Sequence, residues 1–205
     1  MKKFFIYKTV PMEQISELIK REPKLASFLD LKHPFTVRIM PDHYQCFIHS
    51  VISQQLNSAA VDSIWNRFVL NFKKINPKAV VKANTEQLSA VGLSPQKISL
   101  IKKVTYDIID GKLNLKKLEK MTNDEIRTIL TKYKYLGNWT TDMLLMFTYY
   151  RNDMLPITDY GIRLGLMKLY GVKEVTEKLA ATVKDKMAEY STIFSFCLWR
   201  INQGL

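Results

Sequence analysis

The segment from Leu130 to Gly165 constrains the fold of this chain most, because it places two helix N-termini close together. It reads LTKYKYLGNWTTDMLLMFTYYRNDMLPITDYGIRLG. A helix ends in this segment, a tight turn closes at Gly137, and a second helix begins at Asn138 or Trp139. A polar loop then leads to Asp159, which starts a third helix. The segment therefore predicts a helical hairpin followed by a helix that opens on a carboxylate.

The turn at Gly137 is suited to holding a phosphate group of DNA. A helix N-terminus leaves backbone N–H groups unpaired and carries partial positive charge. Lys132 and Lys134 add positive charge beside the turn. A contact of this kind grips the nucleic-acid backbone and carries no sequence information.

Asp159 precedes three apolar residues that are spaced as one face of a helix, Ile162, Leu166 and Leu169. This spacing predicts that Asp159 lies at or near the N-cap, where the helix dipole favours a negative charge. Considered alone, the spacing favours an ordinary cap, because aspartate is common at that position.

The order of these residues resembles the signature of the helix-hairpin-helix (HhH-GPD) DNA glycosylases. GNWTTDMLLMF and LPITDYGIR are similar to a pattern of a Gly hairpin, Trp-Thr-Ala, an apolar helix, a proline and a catalytic aspartate. Within the superfamily, the chain looks most like the 3-methyladenine DNA glycosylase II enzymes. One residue departs from the pattern: the family hairpin reads Gly-hydrophobic-Gly, and Tyr135 stands where the first glycine is usual. This departure bears on the hairpin geometry and on any cation held by its carbonyl groups.

The resemblance covers about Leu18 to Gln203 and implies an all-α fold of two helical lobes around a cleft, with the hairpin and Asp159 at its mouth. It implies one glycosylase domain over residues 1–205, with the hairpin at about 122–150 and without a full N-terminal sheet domain. Residues Phe4 to Thr9 are predicted to be a short strand or simply extended chain, too isolated to support a sheet. The implied activity is hydrolytic excision of alkylated purines such as 3-methyladenine and 7-methylguanine from double-stranded DNA, without a cofactor.

The resemblance also implies roles for individual side chains. Asp159 would stabilise the positively charged sugar of an oxocarbenium-like transition state and orient the attacking water. Trp139 and Tyr190 would form aromatic walls that attract a positively charged base. Since Trp139 stands where lyase relatives carry a Schiff-base lysine, no lyase activity is expected. The hairpin residues with implied DNA contacts are Lys132, Lys134, Leu136, Gly137, Asn138 and Thr140.

A second segment contains Gln54-Gln55-Leu56 and continues into a helix with Ile-Trp-Asn-Arg-Phe. Considered alone, this helix-to-helix turn favours a cap with a buried leucine. The segment is similar, however, to the family's second signature, where a side chain wedges into the duplex and fills the gap left by an extruded base. The matching residue is Leu56, and Gln55 beside it is the implied substrate contact. Asn57 or Ser58 is predicted to cap the following helix.

A third segment, VGLSPQKISLIKKV, resembles the family's Gly-x-Ser-x-x-Lys motif, which implies that Lys97 touches a phosphate. Ser94 and Pro95 are predicted to start a helix there as N-cap and first-turn proline. The alternative is that Lys97 lies on an ordinary solvated helix face.

Other candidate residues are assigned structural roles. Asp142 is the rival carboxylate, but one turn inside a helix it is expected to pair locally. The three histidines, His33, His43 and His49, show no metal-ligand spacing, so no metal site is predicted and they are interpreted as surface or satisfied polar groups.

Composition supports a nucleic-acid partner. Lysine and arginine outnumber aspartate and glutamate by 31 to 19, which gives a formal charge of +12 and suits a polyanionic partner.

Cys46 and Cys197 are too few for a four-thiolate iron–sulfur cluster and are expected to be small buried hydrophobes. No apolar run is long enough for a membrane span or a secretory signal. We therefore expect a cytoplasmic, nucleoid-associated protein that acts as a monomer.

Two other functions stay open at this stage. One is a glycosylase for oxidised or deaminated bases, which hydrogen-bonding groups in the base pocket would favour. The other is a non-catalytic helix-hairpin-helix protein that binds damaged DNA. Tyr135 at the usual glycine position keeps this second alternative open, and Asp159 in its expected place argues against it.

Overall fold

The all-α prediction is confirmed. The computed structural model describes residues 4–30, 32–72 and 74–204, so the predicted domain range of 1–205 includes residues 1–3, 31, 73 and 205, which lie outside the described residues. Two short 3₁₀ helices, at Pro23–Ser27 and Ala188–Tyr190, accompany the α-helices. The α-helices found in the described residues are α1 (Met12–Arg21), α2 (His43–Ser53), α3 (Ser58–Asn71), α4 (Pro77–Val80), α5 (Thr85–Ala90), α6 (Pro95–Ile109), α7 (Leu115–Leu118), α8 (Asn123–Leu130), α9 (Asn138–Phe147), α10 (Tyr160–Tyr170), α11 (Glu177–Met187) and α12 (Ser191–Gln203).

A small antiparallel sheet joins two strands, β1 (Ile6–Thr9) and β2 (Thr36–Ile39). Ile6 lies opposite Ile39, and Thr9 lies opposite Thr36. The expectation that the first extended segment is too isolated for a sheet is therefore wrong. Its partner comes from a later segment of the chain, and a pairing over that separation leaves no local signal.

The chain forms two compact units. The first, called here the hairpin unit, comprises residue 4 and residues 40–149; the second, the aspartate unit, comprises residues 5–39 and 150–204. In the hairpin unit α2 packs against α3, α6 and α9, and Phe47, Phe68 and Leu144 are fully buried.

The aspartate unit is organised around the packing of α10 against α12. Its core contains Leu18, Ile162, Leu166 and Phe194, none of which is exposed to solvent. The apolar positions predicted after Asp159 thus form the buried face of α10. In the part of the chain that the structure describes, no helix combines the length and apolar character needed to cross a membrane.

The two cysteines are buried, as predicted. Cys46 lies in the hairpin unit with 2% of its surface exposed, and Cys197 lies in the aspartate unit with 0% exposed. Burial raises the pKa of each thiol to about 12. Both side chains therefore act as small core hydrophobes.

Candidate active-site and DNA-binding residues

The hairpin unit contains the predicted helix-hairpin-helix. α8 opens with a capping box, in which Thr122 N–H donates to the Glu125 carboxylate at 2.7 Å and Glu125 N–H donates to Thr122 Oγ1 at 3.3 Å. The second helix, α9, begins at Asn138 with Gly137 at its N-cap. The start of α9 agrees with the sequence prediction, and the start of α8 is likewise specified by neighbouring residues.

Asp142 is paired within the hairpin, as expected. Its Oδ1 lies 2.9 Å from an Arg127 guanidinium nitrogen, and Asp142 is only 7% exposed. The same guanidinium reaches Asp124 at 3.2 Å. Because the pair joins α8 to α9, Asp142 stabilises the hairpin.

The start of α9 is open to an anion. Among the described residues no side chain caps this helix, because Gly137 has none to offer. Gly137 and Asn138 are exposed, as are Lys132 and Lys134 on the preceding turn. The arrangement fits a phosphate at the helix N-terminus. The DNA contacts of these four residues stay predictions.

Two other hairpin residues with predicted DNA contacts are buried. Leu136 is 2% exposed and Thr140 is 1% exposed. The Leu136 N–H donates to the Tyr133 carbonyl at 3.0 Å, and Thr140 Oγ1 accepts a hydrogen bond at 2.8 Å from Gln54 Nε2. Neither side chain reaches the surface, so both pack inside the hairpin, and their contacts with DNA stay predictions.

Tyr135, which replaces the usual hairpin glycine, adopts a positive φ of 70°. This backbone conformation costs a residue with a side chain about 1–2 kcal/mol, whereas glycine adopts it freely. The Tyr135 carbonyl accepts a hydrogen bond from Gln54 Nε2 at 3.0 Å. The chain therefore keeps a glycine-like backbone at this position without the glycine.

We expect Tyr135→Gly to raise the free energy of unfolding by about 0.5–1 kcal/mol. Relief of the positive φ exceeds the extra chain entropy that glycine brings to the unfolded state. The thermal unfolding midpoint should rise by a few degrees, at about 2–4 °C per kcal/mol for a chain of this size. Tyr135→Ala is the control, since it removes the ring and keeps the strain. A lower midpoint for the glycine variant than for the alanine variant would contradict the expectation.

The turn between α2 and α3, formed by residues 54–56 and called here the wedge turn, presents Leu56 to solvent. Leu56 is 40% exposed, so the buried leucine favoured by the local sequence is wrong. The Leu56 N–H donates to the Ser53 carbonyl at 3.3 Å, and Gln55 inside the turn has a φ of 56°. This short connection leaves the leucine at the surface. Asn57 caps α3, as predicted, accepting from the Ala60 N–H at 2.9 Å.

Lys97 lies near the start of α6, with Ser94 as the predicted N-cap. Its Nζ donates to the carbonyl oxygens of Ile52 at 2.8 Å and Gln54 at 2.9 Å. Burial lowers the pKa of this ammonium group. The alternative of a solvated helix face is therefore wrong, and two of the three ammonium donors are used on the end of α2. Contact with a phosphate stays a prediction.

Gln54 connects the wedge turn to the hairpin and was not selected from the sequence. Its Nε2 donates to the Tyr135 carbonyl at 3.0 Å and to Thr140 Oγ1 at 2.8 Å. The available signal was weak: a polar residue directly after a buried helix needs hydrogen-bond partners, but the sequence does not say which ones.

In the aspartate unit, Asp159 is the N-cap of α10, as predicted. Its Oδ1 accepts hydrogen bonds from the Ile162 N–H at 2.9 Å and from Trp199 Nε1–H at 2.8 Å. The Trp199 indole meets the Phe196 ring edge-on, with the centroids 5.6 Å apart. The Ile162 N–H and the Trp199 indole N–H thus fix the position of this carboxylate, and Phe196 packs against the indole.

Gly161 leaves room for this contact. A β-carbon added there would lie 2.9 Å from Trp199 Cδ1 and 3.2 Å from Asp159 Oδ1. Sequence reasoning missed Trp199 as a site residue, because it lies in the apolar helix α12, forty positions after Asp159. Only the packing of α12 on α10 brings the two together.

The two predicted aromatic walls lie in different units. Trp139 is half-buried in the first turn of α9. Tyr190 is also half-buried, and its ring lies 4.5 Å from the Arg21 guanidinium carbon. Trp199, in the aspartate unit, is an aromatic side chain that contacts Asp159. The roles of Trp139 and Tyr190 in base binding stay predictions, as does that of the exposed Gln55.

The histidines lie in dissimilar environments. His33 is at the surface, as predicted, 2.6 Å from Asp30. His43 is mostly buried against Tyr149, with ring centroids 5.2 Å apart, and burial lowers its pKa. In the described ranges, no group of three or more His, Cys, Asp or Glu side chains is arranged to hold a metal ion.

Residues 48–189 match the family described as HhH-GPD superfamily base excision DNA repair protein. The chain belongs to this superfamily. This HhH-GPD protein is 31% identical over 165 residues to DNA-3-methyladenine glycosylase 1 of Schizosaccharomyces pombe, covering 78% of this chain and 72% of the relative. It is 30% identical over 190 residues to the alkylbase DNA glycosidase-like protein mag2 of the same yeast, covering 87% of each chain.

Solved structures share the fold of this HhH-GPD protein. DNA-3-methyladenine glycosidase from Bacillus halodurans has a TM-score of 0.77 at 26% identity, covering 96% of this chain and 92% of that one. Mag1, the 3-methyladenine DNA glycosylase of Schizosaccharomyces pombe in complex with abasic DNA, has a TM-score of 0.78 at 29% identity, covering 91% and 93%. The predicted relationship to 3-methyladenine glycosylases is therefore confirmed. At the level of the superfamily, the chain is a DNA glycosylase of base excision repair.

Proposed function

We propose that this HhH-GPD protein hydrolyses the N-glycosidic bond of alkylated purines in double-stranded DNA. The observation that carries the proposal is the Asp159 carboxylate, held at the N-terminus of α10 by Ile162 N–H at 2.9 Å and Trp199 Nε1–H at 2.8 Å. The names of the relatives, which include 3-methyladenine glycosylases and an alkylbase glycosidase-like protein, support the substrate class.

Asp159 acts on the sugar. Cleavage of the N-glycosidic bond passes through an oxocarbenium-like state, and a fixed carboxylate stabilises the positive charge that develops there. Asp159 also orients the water that adds to the sugar carbon. The base leaves with the electrons of the broken bond, and an abasic site remains in the DNA.

Alkylated purines suit a site with little acid machinery. A purine methylated at N3 or N7 already carries positive charge, so it leaves readily without protonation. Aromatic faces attract such a cation more than a neutral base. We assign this role to Trp139 and Tyr190, and add Trp199 because its indole lies against Asp159.

DNA binding is assigned to the hairpin unit. Lys132, Lys134 and the open N-terminus of α9 hold the backbone phosphate, and Leu56 fills the gap left by the extruded base. The protein acts as a monomer without a cofactor. Because Trp139 cannot form a Schiff base, the reaction ends at the abasic site without strand cleavage.

The test is base release from duplex DNA treated with a radiolabelled methylating agent. Free 3-methyladenine or 7-methylguanine, separated by chromatography, supports the proposal. Borohydride trapping should give no covalent protein–DNA product. If the protein binds the duplex and releases neither base, the alkylpurine assignment fails, and duplexes carrying oxidised or deaminated bases decide between the two alternatives.

Trp199→Phe should slow base release about tenfold or more, because it removes a hydrogen bond to a charged group worth about 1.5–3 kcal/mol while keeping an aromatic ring. Single-turnover release rates and DNA dissociation constants measure the effect, and only the rate should change. Phe196→Leu is the matched control, since it removes the neighbouring ring and keeps the indole N–H. Equal rates of base release for the native protein and Trp199→Phe would show that Trp199 does not position Asp159.

A further inference from the structure

The wedge turn is held from two directions by polar side chains. Lys97 of α6 binds the carbonyl oxygens of Ile52 and Gln54 at 2.8 and 2.9 Å. From the other side, the Gln54 amide binds the hairpin through Tyr135 and Thr140. All of these residues belong to the hairpin unit.

The Lys97 contact is built into the fold. Its ammonium group meets the C-terminal end of α2, where the unpaired carbonyls carry partial negative charge. Lys97 is only partly exposed, so its ammonium group exchanges part of its hydration for these two hydrogen bonds. Lys102, on the same helix and also partly exposed, instead donates to Thr85 Oγ1 at 3.3 Å in a hydrogen bond that is open to solvent.

The Gln54 contact reaches the strained part of the hairpin. One Nε2 donor is directed to the carbonyl of Tyr135, the residue with a φ of 70°, and the other to the buried Thr140 hydroxyl. The residue after Gln54 also has a positive φ, of 56°. The side-chain amide of Gln54 therefore links Tyr135, which has a positive φ, to the wedge turn, in which Gln55 also has a positive φ.

We propose that Lys97 and Gln54 are positioning residues that hold the wedge turn and the hairpin as one element. Leu56 then enters the duplex in a fixed register with the phosphate contacts of the hairpin. A wedge that is ordered before binding loses less conformational entropy on insertion. This inference rests on the proposed function for its catalytic readout, and it assigns Lys97 a role other than a phosphate contact.

The contacts of Lys97 and Gln54 that hold the wedge turn are called here the clamp. The first test asks whether Lys97 acts through this clamp or through a contact with a phosphate. Lys97→Met should slow single-turnover base release from duplex DNA about 10- to 100-fold, as expected for a misplaced group. The slope of log binding constant against log salt should stay unchanged, whereas loss of one phosphate contact would reduce its magnitude by about 0.9. Lys102→Met removes the same charge from the same helix and should stay within about twofold of the native rate, as a surface change. A reduced salt slope with an unchanged rate at saturating DNA would overturn the assignment of Lys97.

The second test asks whether Gln54 acts through Leu56. Gln54→Ala and Leu56→Ala should each slow release, and the double variant should be no slower than Leu56→Ala within about twofold, because residues that act as a unit are not additive. Effects that multiply would overturn the assignment of Gln54. Lys97→Arg, which keeps the donors, should restore most of the rate lost in Lys97→Met. Gln54→Met, of similar volume, replaces the alanine variant if that variant unfolds.

A third readout does not depend on catalysis. A duplex with a tetrahydrofuran abasic-site analogue opposite 2-aminopurine reports insertion of the wedge by fluorescence. Native protein should change the emission, and Gln54→Ala, Lys97→Met and Leu56→Ala should reduce that change by a similar factor. If the native protein releases no base but shows this pattern, the proposed function fails and the clamp stands. If only Leu56→Ala reduces the change, the clamp fails.

Discussion

Asp159→Asn is expected to reduce release of alkylated purines about 10²- to 10³-fold, the effect of removing one preorganised electrostatic group. Asparagine is as good an N-cap as aspartate, so α10 should begin at the same residue. Its carbonyl oxygen can still accept from the Ile162 and Trp199 N–H groups that bind Oδ1. The substitution therefore removes the charge and keeps the geometry. Single-turnover release at saturating enzyme measures the loss, while fluorescence anisotropy should show an unchanged dissociation constant for duplex DNA.

Asp142→Asn is the control for the rival carboxylate. It disrupts the 2.9 Å ion pair with Arg127 and should lower the unfolding midpoint, because it weakens the link between α8 and α9. Its release rate below that midpoint should stay close to native. Should Asp142→Asn abolish release while Asp159→Asn stays active, the two carboxylates have been assigned the wrong way round.

Gly165→Ala should destabilise the chain by about 3 kcal/mol, at the upper end for an overpacked site. A β-carbon on Gly165 would overlap the Leu198 carbonyl oxygen and lie 2.8 Å from Leu198 Cβ. Backbone atoms on both helices cannot move apart without separating α10 from α12. The thermal midpoint should fall by about 6–12 °C, at about 2–4 °C per kcal/mol.

Gly171→Ala provides the comparison, because Gly171 ends the same helix with a φ of 67° and its β-carbon would meet no atom within 4 Å. That variant costs only the backbone conformation, about 1–2 kcal/mol. If the two variants lose equal stability, the close approach of α10 and α12 contributes nothing beyond backbone strain. Gly165→Ala should also slow base release at temperatures where it is fully folded, since α10 carries Asp159 and α12 carries Trp199.

Local sequence was sufficient for the helix starts. Asp159, Ser94 and the Gly137 turn each specify a helix N-terminus through residues within one turn, and the structure has these three where they were predicted. The Thr122 capping box specifies the start of α8 in the same local way. Capping depends on side chains that bond to nearby amides, so a short segment contains the needed information.

Long-range contacts were not predictable in the same way. Trp199 reaches Asp159, Gln54 reaches Tyr135, and Lys97 reaches Ile52 only after distant helices have packed. The resemblance to the glycosylases identified the position of Lys97 without its environment, so it gave no indication of the two carbonyl groups that Lys97 binds. The exposure of Leu56 likewise depends on the geometry of the turn, which the order of residues leaves open.

The burial of the thiols determines how this protein can be labelled. Burial raises the pKa of Cys46 and Cys197 to about 12, so both thiols stay protonated at neutral pH, and thiolate is the form that reacts with maleimides. Leu70 is 81% exposed on α3, outside every residue assigned to DNA or base contact. A fluorophore attached through Leu70→Cys would therefore give a singly labelled protein without prior removal of the native cysteines, suited to following individual molecules as they search along DNA.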